Sequence, residues 1–164
     1  MTRPLSHLPR QPSHPASTPR VRLSDIATVQ AGYVERQGAV DHQGSPLRVV
    51  RARDLDADGA IDWSDVRPCE PIRDPERFAV QHGDVLLTTR TTQIRAAVVE
   101  RPPRDIVASA QFAILRPDSD QVDSHYLAWA LDRAHATGQL RSLIKGSTVQ
   151  YLSVSELGSF EIPL

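Results

Sequence analysis

Apolar and polar positions along this chain follow two rhythms, one strand-like and one helical. Between residues 82 and 117, apolar runs at 85–87, 96–99 and 112–115 alternate with short polar pieces, which predicts strands over 85–89, 94–100 and 108–116. His82-Gly83-Asp84, Pro102-Pro103 and Pro117 punctuate them, because glycine opens tight turns and proline cannot donate to a sheet ladder. Upstream, residues 47–53 (LRVVRAR) roughly alternate and predict another strand, and Asp58-Gly59 turns the chain into a second one near 60–63. Residues 65–77 hold three prolines and read as irregular. Near the N-terminus, Ser24 is expected to cap a helix over 25–31 that Gly32 ends, with a loop following over 33–45.

Beyond residue 120 the period changes. Tyr126, Leu127, Ala130, Leu131 and Ala134 form the stripe of a helix capped by Ser124, a scaffold element that packs on the sheet. A shorter helix over 139–145 buries Leu140, Leu143 and Ile144 and stops at Gly146. Ser153 and Glu156 have capping-box spacing for one more turn, and residues 160–164 (FEIPL) end the chain as a strand. Strands followed by helices predict an α+β fold, a twisted and mostly antiparallel β-sheet with short helices packed on it.

Composition narrows the class. With 164 residues and 40% hydrophobic content the chain can bury the core of one domain. The formal net charge of −1 excludes a bulk polyelectrolyte binder, so any nucleic-acid site must be a local patch. Lys145 is the only lysine against 18 arginines, a bias that suits bidentate contacts but also follows from a GC-rich genome. Cys69 stands alone, which excludes a disulfide framework and makes a reducing, cytoplasmic setting the expectation. Residues 1–20 carry five prolines, three serines and three arginines with little to bury, and are expected to form a disordered tail. No apolar run is long enough for a membrane span.

Residues 54–65 match the calcium-loop spacing at positions one, three, five and nine, with glycine at six. Asp65 at position twelve is short for bidentate capping, the segment before is strand-like, and Pro68 and Pro71 deny an exiting helix, so an acidic turn is the expected reading. Asp84 opens a strand without an acidic partner nearby, and Lys145 lacks the upstream carboxylate of a nuclease site. There is no G-x-G for a nucleotide or methyl-donor cofactor and no G-x-S-x-G elbow, so neither an enzyme nor a cofactor is expected.

Recognition signals are stronger. Residues 88–95 (TTRTTQIR) pair five hydroxyl or amide side chains with two arginines directly after a strand, and arginine and glutamine favour guanine and adenine edges. Arg90, Arg95, Arg101 and Arg104 against Glu100 give a local excess of positive charge. Lys145-Gly146-Ser147-Thr148-Val149-Gln150-Tyr151 is a second such segment, its glycine allowing close backbone approach. The same residues also suit ordinary solvated loops.

Taken in order, VRLSDIATVQAGY, VVRARDLDADGAID, GDVLLTTR, AAVVE, SAQFAILRP, HYLAWAL and QLRSLIKGSTVQYLSVSELGSFEIPL resemble a target recognition domain of the specificity subunit of Type I restriction-modification systems, over residues 21–164. The resemblance implies a non-catalytic domain that reads one half of a bipartite double-stranded DNA target and directs a modification methyltransferase and a restriction subunit. By position it implies contacts from the loop after Gly32-Tyr33, with Tyr33 and Arg36, from Arg90, Thr91, Thr92, Gln93 and Arg95, and from Ser147, Thr148, Gln150 and Tyr151, while the local positive charge adds Arg101, Arg104 and Lys145. Arg90, Gln93 and Gln150 are the expected base readers, and Arg95, Arg101, Arg104 and Lys145 the expected phosphate contacts. Two departures stand out. Thr91 occupies a place where the family commonly has glycine, and the sequence ends at Leu164 where members continue into a spacer helix. A second copy or another half-subunit is then expected to complete the target. The alternative expectation is a protein-interaction module of the same fold, docking to a methyltransferase or phage-defence complex without reading DNA.

Overall fold

The computed structural model describes residues 18–36, 44–56, 58–90 and 93–164. Of the tail expected over residues 1–20, residues 1–17 lie outside the described residues, and Arg20 belongs to a strand. In chain order the elements are β1 (Arg20–Arg22), α1 (Leu23–Ile26), β2 (Ala27–Ala31), β3 (Arg48–Val50), β4 (Arg67–Pro68), β5 (Val85–Thr88), β6 (Ala96–Val98), β7 (Ile106–Ala108) and β8 (Phe112–Pro117). Helix α2 (Ser124–Ala136), β9 (Ile144–Lys145), β10 (Tyr151–Leu152), α3 (Val154–Leu157) and β11 (Glu161–Pro163) follow.

The central sheet runs β2-β8-β5-β6 with every pairing antiparallel. Its two inner strands explain their unbroken apolar text, because both faces are covered. Val85, Leu87, Ala113 and Leu115 point to one core with Leu127 and Leu131 of α2, whereas Leu86, Phe112 and Ile114 point to a second core with Val50, Val99 and Ile106. Each fully buried leucine or phenylalanine here contributes about 1.5 to 3 kcal/mol of transfer free energy. The second core is closed by a smaller sheet, β4-β3-β7, in which β3 and β7 run parallel. β1 pairs with β11, so the first and last elements described lie side by side. The fold is thus α+β and mostly antiparallel, and no helix among the described residues is long and apolar enough to cross a membrane.

Several elements differ from expectation, each for a physical reason. The helix expected over 25–31 is only α1, and β2 replaces the rest because Ala27–Ala31 pairs along its whole length with β8. Ser24 lies within α1 rather than capping it. The strand expected over 47–53 stops at Val50, where the Asp54 carboxylate accepts the Arg51 N–H at 2.7 Å and draws Ala52–Asp54 into a 3-10 turn. The strand expected near 60–63 reduces to one antiparallel bridge, Leu55 with Ile61. The single run expected over 108–116 is two strands of different sheets, β7 and β8, separated by a turn that Phe112 N–H closes onto the Ser109 carbonyl.

Caps moved as well. α2 is capped by Asp123, which accepts the His125 and Tyr126 N–H groups, while the Ser124 hydroxyl donates instead to the Gly83 carbonyl at 2.7 Å. The helix expected over 139–145 is a 3-10 turn, Gln139–Leu143, running into β9. The Ser153/Glu156 capping box does not form: Glu156 pairs with Lys145, and the Ser153 hydroxyl meets that of Ser155.

Candidate nucleic-acid interface

Because the central strands alternate in direction, one end of the sheet gathers the C-terminal ends of β2 and β5 and the N-terminal ends of β6 and β8. Three segments far apart in sequence therefore meet there. Gly32 N–H donates to the Phe112 carbonyl, and Tyr33 exchanges backbone bonds with Ala108 and Ala110. Thr89 N–H donates to Gln111, and Leu152 N–H donates to Thr89 at 2.7 Å, which brings the β9–β10 hairpin alongside β5.

Two glycines make this junction possible. A Cβ on Gly32 would lie 2.1 Å from the Ser109 carbonyl oxygen, so only hydrogen fits where β2 crosses the β7–β8 turn. Gly146 has φ +88, and a Cβ there would meet the Val149 carbonyl oxygen at 2.2 Å. Gly32, read from sequence as a helix stop, is thus a close-approach residue of a strand end.

The first two threonines of TTRTTQIR are part of the frame. Thr88 and Thr89 are buried. The Thr88 hydroxyl accepts the Arg95 N–H at 2.8 Å and donates to the Gln93 carbonyl at 3.2 Å, and Thr89 donates to Ala110. Together these bonds tie Thr88 and Thr89 to Gln93, Arg95 and Ala110; Thr91 and Thr92, two expected contacts, lie outside the described residues.

Of the other expected contacts, Arg90, Gln93, Ser147, Thr148, Gln150 and Tyr151 are exposed at this end. Arg36 is exposed beside them, and its backbone N–H donates to Glu70. Tyr33 is half-buried: its ring meets Phe78 edge-on at 5.5 Å, and its hydroxyl donates to Glu70 Oε1 at 2.5 Å. That bond to a carboxylate pushes its pKa up to about 12, so the phenol keeps its proton. Arg95 and Lys145 are engaged internally. Arg95 donates to the Asp56 carbonyl and the Gln93 side chain, and Lys145 pairs with Glu156 at 3.1 Å. Arg101 and Arg104 are not brought to this end. The Arg101 N–H faces His82 at the opposite end, and Arg104 lines a groove of about 300 Å³ there with Pro75, Pro102 and Pro103.

Sequence reasoning missed three residues. A depression of about 200 Å³ is lined by Tyr33, Glu35, Arg90, Ser109 and Gln111 among others. Arg51 holds Glu35 through two N–H donors, Nε to Oε2 at 3.0 Å and Nη2 to Oε1. The Gln111 amide oxygen accepts the Ala52 N–H at 2.8 Å. No local motif marks these residues, because only the meeting of β2, β3 and the β7–β8 turn assembles them.

The acidic segment does not build a cation cage. Asp54 accepts the Arg51 N–H, Asp56 the Asp58 and Ala60 N–H groups, and Asp62 the Ser64 N–H and hydroxyl. No group of three or more potential metal ligands occurs among the described residues. Asp84 is buried in a bidentate pair with Arg116, at 2.8 and 2.9 Å.

No protein-family model matches this chain, and no curated protein does. Solved structures do. The chain superposes on the S subunit of a Type I restriction-modification system from M. genitalium with TM-score 0.56 at 10% identity, covering 94% of this chain and 36% of that one. The HsdS subunit from Thermoanaerobacter tengcongensis gives TM-score 0.64 at 17% identity, over 94% of this chain and 35% of that subunit. A chain from a type I R-M complex, solved to describe its assembly and conformational transition, gives 0.64 at 19%, over 95% and 36%. The chain described here therefore has the fold of a Type I specificity subunit over about a third of such a subunit's length.

Proposed function

We propose that this chain is a sequence-reading module for double-stranded DNA, one recognition domain of a Type I restriction-modification specificity component. The observation that carries the reading is the convergence, at one sheet end, of the Tyr33, Arg90 and Ser147–Tyr151 segments, whose exposed side chains are the types that contact base edges and phosphates. The fold shared with specificity subunits supports it. In this role residues 21–164 direct a modification methyltransferase, and with it a restriction subunit, to half of a bipartite target. The chain itself carries out no chemical step.

Selection from a randomised duplex library at about 50 and 200 mM salt tests this, since phosphate-only binding collapses over that range. A short enriched motif that survives the higher salt is expected. Sequence-blind binding that vanishes with salt, or no binding, contradicts the reading.

One observation favours a second reading, docking to a protein partner without reading DNA. Trp129 on α2 is 53% exposed, its ring tilted against Tyr126 at 5.6 Å with the Arg133 guanidinium 5.7 Å over it. An exposed aromatic of this kind is a typical anchor of protein interfaces. Co-purification with a methyltransferase that Trp129→Ala abolishes, with no sequence selectivity toward DNA, would establish that reading instead.

A further inference from the structure

The depression at the open sheet end combines opposite hydrogen-bonding chemistries. Glu35 presents a carboxylate whose side chain is still 27% exposed, oriented by the two Arg51 donors. Arg90 is exposed on the same depression and makes no hydrogen bond or ion pair with any described residue. Gln111 also lines the depression; its amide oxygen accepts the Ala52 N–H, an orientation that leaves the side-chain amine able to donate.

A DNA phosphate suits this place poorly, because it would approach Glu35 and, through Tyr33, Glu70. A base-pair edge suits it well. In the major groove a G·C pair shows two acceptors on guanine, N7 and O6, beside the N4 amine donor of cytosine. An A·T pair offers one donor flanked by single acceptors and a methyl group, which leaves a bidentate arginine without its second acceptor. Backbone bonds of Tyr33 and Thr89 to the β7–β8 turn anchor the two segments that carry Glu35 and Arg90 beside each other.

Resting on the DNA-reading function above, we propose that this depression reads a single G·C base pair, with Arg90 donating to guanine O6 and N7 and Glu35 accepting from cytosine N4. Glu35 is then a specificity-determining residue, and Arg51 is its positioning residue.

The test is the randomised-duplex selection carried out in parallel on the wild-type chain, Glu35→Gln and Arg90→Gln, with folding checked by circular dichroism. Arg90→Gln guards against loss of fold, because its side chain bonds to none of the described residues. Both variants should relax the preference for G·C at the same one position, by roughly tenfold, and leave the other positions unchanged. A wild-type motif that persists unaltered in both variants, or changes at two different positions, or at an A·T pair, overturns the assignment while the DNA-reading function stands. A wild-type chain that enriches no motif overturns both.

Discussion

The two ends of the central sheet place their polar side chains in opposite ways. At one end they face inward: Asp84, 1% exposed, takes two bonds from Arg116 and one from the Gln81 N–H, and Ser124 ties α2 to the Gly83 turn. At the other end the internal bonds come mainly from backbone groups and from buried Thr88 and Thr89, which leaves Arg90, Gln150 and Tyr151 facing solvent. One end is closed by a buried ion pair, and the other is held by a frame that leaves Arg90, Gln150 and Tyr151 exposed. That division is what a binding surface on a rigid scaffold requires, since loop tips can contact a ligand only if their bases are fixed by something else.

Breaking the closed end should have the largest effect. Arg116→Met leaves the Asp84 carboxylate buried with only the Gln81 N–H, and costs about 3 kcal/mol, or roughly 6 to 12 °C in melting temperature. A shift under about 2 °C would show that the ion pair does not hold this end. The frame of the open end comes next. Gly32→Ala forces a methyl group against the Ser109 carbonyl and should destabilise by about 1 to 3 kcal/mol, read by urea unfolding. An unchanged midpoint would mean that β2 and the β7–β8 turn are not in close approach.

The open end itself should behave differently. Arg90→Ala is expected to leave stability within about 0.5 kcal/mol while DNA discrimination falls by about 1 to 3 kcal/mol. Loss of stability without loss of discrimination would reverse the distinction between the ends. The smallest effect is on pH dependence. Tyr33 is raised from 10.0 to about 12, so its bond to Glu70 stabilises the fold below pH 10, and this contribution is lost as pH rises from there toward 12. Ultraviolet titration should find a phenol ionising near that value in the native protein, and one such phenol fewer in Tyr33→Phe.

The sheet interior was legible because its signal is local: β5 and β8 are apolar runs bounded by turn residues. The N-terminal segment was not. Ser24, Asp25 and Gly32 look like helix punctuation, yet pairing with β8, more than eighty positions away, makes Ala27–Ala31 a strand. The same distinction applies to the site. Arg90, Gln93 and the Ser147–Tyr151 segment could be named from residue type alone, and the fold exposes them at one end. Charge counting along the chain grouped Arg101 and Arg104 with Arg90, but β6 lies between them and carries them to the other end. Glu35, Arg51 and Gln111 carry no motif, and became visible only when three strand ends met.

The most direct test sets the ends against each other on one enriched duplex. Affinity is measured for Arg90→Ala/Gln150→Ala at the open end and for Arg101→Ala/Arg104→Ala at the closed end. The open-end pair should weaken binding by at least roughly tenfold, and the closed-end pair, far from the duplex, by less than about twofold. Equal losses, or a larger loss from Arg101 and Arg104, would contradict the assignment of the DNA-reading surface to the open end.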